Sequence, residues 1–315
     1  MTRTAFDDTC VDDYAWLRDK EDPAVRAHMQ AEREHAEAVI TACTHDLRGR
    51  LYAEMRGRIK EDERSLPVKD GPWLYYTLTE IGDEYPRHCR RPWQPGHEGL
   101  ELDAIEALDP SGEQLYLDEN QLAEDHEYFD LSVLAVSTDH RLCAYAIDTT
   151  GDEVYEVHVR DLDGGVILDD RLEGCADELV WGDDRWLFYM RLDERHRPWQ
   201  LWRHHLGHDP AEDVLVFQED DDRFFLSIHR SRSDAFLVLS SASHTSGEQW
   251  LIPTADPCAA PVLVAAREAD VEYQVEHRGE HLYIVDNRGA RNFQLWRAPV
   301  HGGDRSDWEL LIPHR

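Results

Sequence analysis

Leu142–Gly165 runs LCAYAIDTTGDEVYEVHVRDLDGG. Two runs of β-branched, aromatic and alternating polar residues flank the polar segment DTTGDE, which is the pattern of a β-hairpin. Asp148, Asp152 and Glu153 bring three carboxylates within six positions, so an acid/base or metal site competes with a simple turn. Comparison along the chain separates the two readings. The same slot between two strand-like runs holds TEIGDE (79–84), DERHRP (193–198), HTSGEQ (244–249) and RGARNF (288–293). A slot that keeps its place while changing its charges is a turn, with glycine supplying φ > 0 in several copies. The three carboxylates are therefore expected to form a solvated turn.

Working outward, each hairpin belongs to a longer repeat. WLYYTLTEIGDEYPRHCRRPW (73–93), WLFYMRLDERHRPWQLWRHHLG (186–207), AFLVLSSASHTSGEQWLIPTADP (235–257) and HLYIVDNRGARNFQLWRAPVHGG (281–303) share its layout. Tyr145, Tyr189, Val238 and Tyr283 align, at separations of 44, 49 and 45 residues. A third strand precedes most hairpins (131–137, 176–182, 224–230, 271–277) and a fourth follows some of them (212–218, 308–313). Four strands repeating about every 45 residues predict propeller blades, and about five units are present. The interval from Tyr76 to Tyr145 is longer, its surplus lying in the turn-rich stretch Gln94–Asn120.

Residues 1–63 differ in texture. After the helix-start pair Asp22-Pro23, Val25, Met29, Ala36, Val39, Ile40, Cys43, Leu47, Leu51, Met55 and Ile59 recur mostly at three and four. The spacing predicts one or two helices with an apolar stripe that packs. The fold expected is mainly β: a helical N-terminal extension (1–63), then a partial β-propeller (64–315).

The 66 acidic against 33 basic residues leave a formal charge of −33, and lysine occurs only at 20, 60 and 69. That balance argues against nucleic acid, which requires cations to displace counterions, and against an anionic membrane surface. Two readings of the acidity stand: solubility in high salt, and attraction of a cationic substrate. Six scattered cysteines without a CxxC suggest reduced thiols, and no apolar run follows the first charges, so no signal peptide and a cytoplasmic location are expected.

VDDYAWLRD (11–19) resembles the N-terminal signature of the prolyl oligopeptidase family. YPRHCRRP (85–92), HEYFDL (126–131), 137–162, 192–233 and VEYQVEHRG (271–279) resemble its oligopeptidase B branch, in order along the chain. The resemblance implies a seven-bladed propeller and a C-terminal α/β-hydrolase domain with a Ser-Asp-His triad that cuts short peptides after Arg or Lys. A G-x-S-x-G nucleophile elbow occurs nowhere in the 315 residues. Catalytic residues are therefore expected beyond Arg315, with none here. The chain is expected to lack about two blades and the hydrolase domain, and to gate access and scaffold catalysis. Its partners would be those missing parts and, in the whole enzyme, short basic peptides. An open arc exposing blade faces worth on the order of 10 kcal/mol would also self-associate. A free-standing binding propeller without enzymatic activity is the alternative.

Other constellations have plainer readings. His204, His205 and His208 beside Asp209 lack metal-site spacing, because neighbours on a strand point to opposite faces. Glu219-Asp220-Asp221-Asp222 lacks the alternating ligands of a calcium loop and is expected to be solvated. Trp199, Trp202, Trp250 and Trp296 recur by unit and predict core between units. Arg87, Arg90, Arg91 and the segment Ser231-Arg232-Ser233 are expected to make local ion pairs in acidic surroundings, with pairing to the missing hydrolase domain as the alternative. No cofactor or metal is expected. Within the signature, Asp12, Tyr14 and Trp16 are the residues assigned to contact between domains in the whole enzyme, with anchoring of the extension onto the propeller rim as the alternative.

Overall fold

The computed structural model describes residues 2–94, 112–300 and 305–315. It divides into two compact units, Met1–Glu63 with Glu80–Gly82, and Arg64–Thr79 with Asp83–Arg315.

The first unit opens with a hairpin, Thr2–Ala5 against Asp8–Val11, ahead of the expected helical segment. Phe6 and Asp7 both take φ near +60°, the geometry of a tight two-residue turn. Helix then runs from Pro23 to Ala36 and from Ala42 to Arg56, joined by one π-helical turn at Glu37–Thr41. Asp22 caps the start, its carboxylate accepting from the Ala24 N–H at 2.8 Å, and Pro23 fills the first turn where its missing N–H costs nothing. Of the apolar stripe only Val25 is buried; Met29, Ile40, Leu51 and Met55 are exposed. Within their own unit these helices find no second layer to cover the stripe.

The second unit holds five antiparallel meanders among the described residues, each of four strands, and the sheet of the first also takes in the short strand Glu63–Arg64. The first is Val68–Asp70, Trp73–Thr79, Arg87–Pro92 and Gln114–Asp118. The second is Asp130–Val136, Leu142–Asp148, Tyr155–Asp161 and the first half of Ile167–Trp181. The third takes the second half of that strand, then Trp186–Leu192, Pro198–His205 and Val214–Gln218. Phe225–Arg230, Phe236–Ala242, Gly247–Pro253 and Val262–Ala265 make the fourth. Tyr273–Arg278, His281–Asp286, Gln294–Pro299 and Glu309–Ile312 make the fifth. The 15-residue strand Ile167–Trp181 ends one meander and begins the next, and Gly174, at φ +70°, sits at the handover. The surplus of the first repeat falls mostly on 95–111, outside the described residues.

Four apolar clusters lie between successive meanders. Tyr116 and Leu117 meet Cys143 and Tyr145; Val157 and Leu172 meet Leu187 and Tyr189. Phe188, Met190 and Leu201 meet Leu226, Leu237 and Leu239; Val238 and Leu251 meet Val275 and Ile284. Consecutive residues such as Phe188 and Tyr189 thus serve opposite faces, as the period of two requires, and the strands are buried on both sides. This packing corrects one alignment. Tyr145 and Tyr189 face the preceding meander, but Val238 faces the following one, and in the fifth meander Leu282 and Ile284, the neighbours of Tyr283, fill the backward position. The sequence alignment slips by one residue there because the hairpin turns differ in length, and a one-residue slip exchanges the faces.

The DTTGDE segment is a turn, although not a wholly solvated one. Asp152 and Glu153 are exposed, while Asp148 is buried. Its carboxylate accepts from the Thr150 N–H and hydroxyl (2.8 Å each), the Gly151 N–H (3.1 Å) and the Glu153 N–H (2.9 Å). Burial opposes its charge, yet these donors outweigh that effect and hold the carboxyl below the usual range. Asp148→Ala should cost about 1–3 kcal/mol by orphaning buried donors. Asp152→Ala should leave the melting temperature unchanged, and thermal scans of both variants check this.

Candidate functional site

The loop ends of the third, fourth and fifth meanders converge on a set of buried charges. Asp193 closes its hairpin by accepting from the Arg195 N–H (2.8 Å), the Arg197 N–H (3.0 Å) and Arg197 Nε (2.9 Å). Arg197 is buried, and its Nη1 donates to the carbonyls of Glu219 (3.3 Å), Asp221 (3.0 Å) and Phe224 (2.7 Å). One guanidinium therefore shapes the connection into the fourth meander, its fork matching several acceptors at once.

That connection turns Glu219 inward. Its carboxylate accepts from Ser241 Oγ (2.7 Å), the Asp221 N–H (2.9 Å) and Arg267 Nη1 (2.8 Å). Burial disfavours the charge, but Arg267 and Ser241 outweigh it and hold the carboxyl below its ordinary value. Only Asp220 and Asp222 of the acidic run are fully solvated, so the expected solvated loop is corrected at Glu219. The Arg267 guanidinium lies 4.0 Å from the Phe224 ring centroid and 3.5 Å from Glu248. Beside this cluster opens a pocket of about 740 Å³, walled by Phe224, Phe225, Arg223, Arg267, Asp270 and the hairpin Ser243–Ser246. Its size suits a small molecule or a short peptide segment.

The histidine run separates as strand geometry demands. His204 is fully buried between two carboxylates, with Nδ1 2.7 Å from Asp213 and Nε2 3.0 Å from Asp170. His205 instead meets Trp186 and His208 edge to face. Tyr189 donates to the other Asp213 oxygen at 2.8 Å. Burial lowers the His204 pKa, but the hydrogen bonds and charges of Asp213 and Asp170 more than compensate, so it stands above the usual 6.5. Asp170 belongs to the last strand of the second meander and His204 to the third, so the triplet ties two meanders together.

The remaining candidates are structural. Arg90 and Arg91 are both buried, over Trp73 (4.1 Å) and Tyr76 (5.4 Å) respectively, and Arg90 lies 3.8 Å from Asp163. Arg87 does pair with Asp83 (3.1 Å) and Asp118 (3.6 Å). Ser233 Oγ lies 2.7 Å from His277 Nδ1 and the Arg232 N–H donates to Glu276, joining the fourth meander to the fifth. The pair does not resemble a nucleophile and base, since a triad histidine gives its Nδ1–H to a carboxylate and faces serine with Nε2. Trp250 packs on Phe217 between meanders (4.4 Å), while Trp296 meets Trp308. Asp12 accepts from the Tyr14 N–H (2.9 Å) and from Arg18 (3.3 Å); Tyr14 is exposed, and Trp16 rests on His28 at 5.3 Å. Arg197, Arg267, Asp170 and Asp213 escaped the sequence reading. The one local signal was the four-residue spacing of Asp193 and Arg197 across a turn.

Across residues 1–315 the chain matches the family model described as prolyl oligopeptidase, N-terminal beta-propeller domain. The chain belongs to the prolyl oligopeptidase family. Within that family it is 39% identical to dipeptidyl aminopeptidase BI of Pseudoxanthomonas mexicana, over 96% of this chain and 43% of the relative. It is 33% identical to protease 2 of Moraxella lacunata, over 92% of this chain and 41% of that protein. Among solved structures, oligopeptidase B from Leishmania major superposes with a TM-score of 0.88 at 31% identity, over 98% of this chain and 42% of that one. The chain thus spans less than half the length of these prolyl oligopeptidase relatives, and the meanders correspond to the family's propeller domain.

Proposed function

We propose that the chain is the propeller portion of an oligopeptidase B-like serine endopeptidase, a cytoplasmic enzyme that cuts short peptides after Arg or Lys. In this reading the propeller narrows access to a hydrolase domain encoded outside these residues, and supplies the surface on which that domain sits. Asp12, Tyr14 and Trp16 would make part of the contact. The observation that carries the reading is the match over the whole chain, together with a sequence free of any G-x-S-x-G elbow. The excess of negative charge suits basic peptides, which it would steer toward the enzyme.

The test is a chimera in which this chain replaces the propeller portion of a related full-length oligopeptidase B. It should cleave an Arg-containing reporter peptide and spare a folded protein carrying the same sequence. The 315 residues alone should give no turnover. A folded chimera that digests the folded protein equally well, or turnover by the chain alone that survives repurification, overturns the proposal.

A further inference from the structure

We propose that the pocket beside Arg267 binds the cationic side chain of a peptide, with Asp270 as counter-ion and Phe225 as its platform. Most charges around the pocket are already spent on one another. Arg223 grips Asp221 (2.6 and 2.9 Å), Arg267 pairs with Glu219 (2.8 Å), and Glu268 pairs with Arg288 (3.1 Å). Asp270 is different: among the described residues no cation pairs with its carboxylate. Its place is nonetheless defined, since its N–H donates to Ser246 Oγ at 2.9 Å. The aromatic residues divide in the same way. Arg267 and Arg223 lie over Phe224 at 4.0 and 5.9 Å, whereas Phe225 is 48% exposed with no cation on it.

An open aromatic ring and an unpaired carboxylate in one concavity suit a guanidinium or ammonium group. An anionic ligand fits less well, because Asp221, Glu219 and Glu248 already offset the charge of both arginines and Asp270 adds a carboxylate with no cation on it among the described residues. At about 740 Å³ the pocket exceeds a single side chain, which leaves room for the flanking backbone against the Ser243–Ser246 hairpin. The inference does not require the peptidase reading, since it concerns binding by this chain without turnover.

The test uses the full 315-residue chain and fluorescein-labelled Arg-Ala-Arg and Glu-Ala-Glu peptides with blocked termini, followed by anisotropy in 150 mM salt, on the order of physiological ionic strength. The Arg peptide should saturate one site and the Glu peptide should not bind. Asp270→Asn and Phe225→Ala should each weaken binding by about tenfold. Asp270 holds φ +60°, which asparagine tolerates, so the first variant should keep its fold. Asp152→Asn makes the same charge change on an exposed turn of the second meander and should bind as the parent does. Equal losses in Asp152→Asn and Asp270→Asn would reveal diffuse attraction to the net charge and overturn the inference. Binding of both peptides alike would overturn it too.

Discussion

Replacing His204 by alanine should lower stability by about 3–5 kcal/mol, because the change leaves Asp170 and Asp213 facing each other, buried and without their cation. Both carboxylates are almost inaccessible, and the imidazole touches one with each nitrogen. The loss should depend on pH, and its sign follows from the direction of the shift. The His204 pKa is raised by folding, so the stabilisation is complete below the unfolded value near 6.5 and is lost as pH rises through the folded value. The parent and His204→Ala should therefore differ most near pH 6 and converge as the solution becomes alkaline. Urea titrations at several pH values measure this directly. A difference that stayed constant, or grew with pH, would show that the imidazole works as neutral packing.

The second large effect is expected at Glu219. Glu219→Ala should cost about 2–3 kcal/mol by taking from Arg267 its closer carboxylate, with Glu248 left at 3.5 Å, and by leaving the buried Ser241 hydroxyl without its acceptor. Here folding lowers the pKa, so the contribution is present above the unfolded value of about 4.5 and disappears as pH falls through the folded one. The double variant Glu219→Ala, Arg267→Met should recover much of the loss, since neither charge is then left alone. A double-mutant cycle in urea supplies the coupling. Additive losses would mean that the pair contributes nothing beyond its separate contacts. The two predictions have opposite pH dependence, which distinguishes either from general acid or base denaturation.

Much of the β architecture was legible because strand burial imposes a period of two and turns impose glycine and aspartate. The runs at 131–137, 224–230 and 271–277 became first strands, and the hairpin slots became turns. The short predicted strand 176–182 was correct in place but not in extent, since it is the end of a strand that starts at Ile167. The N-terminal hairpin was missed, because its eight strand residues are all exposed and carry no apolar alternation.

Buried charges were the less legible part. Acidic runs and arginine clusters normally mark solvated faces, and that rule gave the right environment for Asp152, Asp220 and Asp222. It failed for Asp148 and Glu219; these two, like Arg90 and His204, are buried among partners distant in sequence or supplied by turn backbone. Glu219 meets Arg267 across 48 residues and His204 meets Asp170 across 34. By itself, then, the amino-acid sequence determined the repeat, the strand order within each unit, the family and the absence of a nucleophile elbow. Only the tertiary structure decided which face each strand residue serves and which charges are buried. Local periodicity is set by neighbours one or two positions away, whereas a charge is kept in the interior by a partner on another strand.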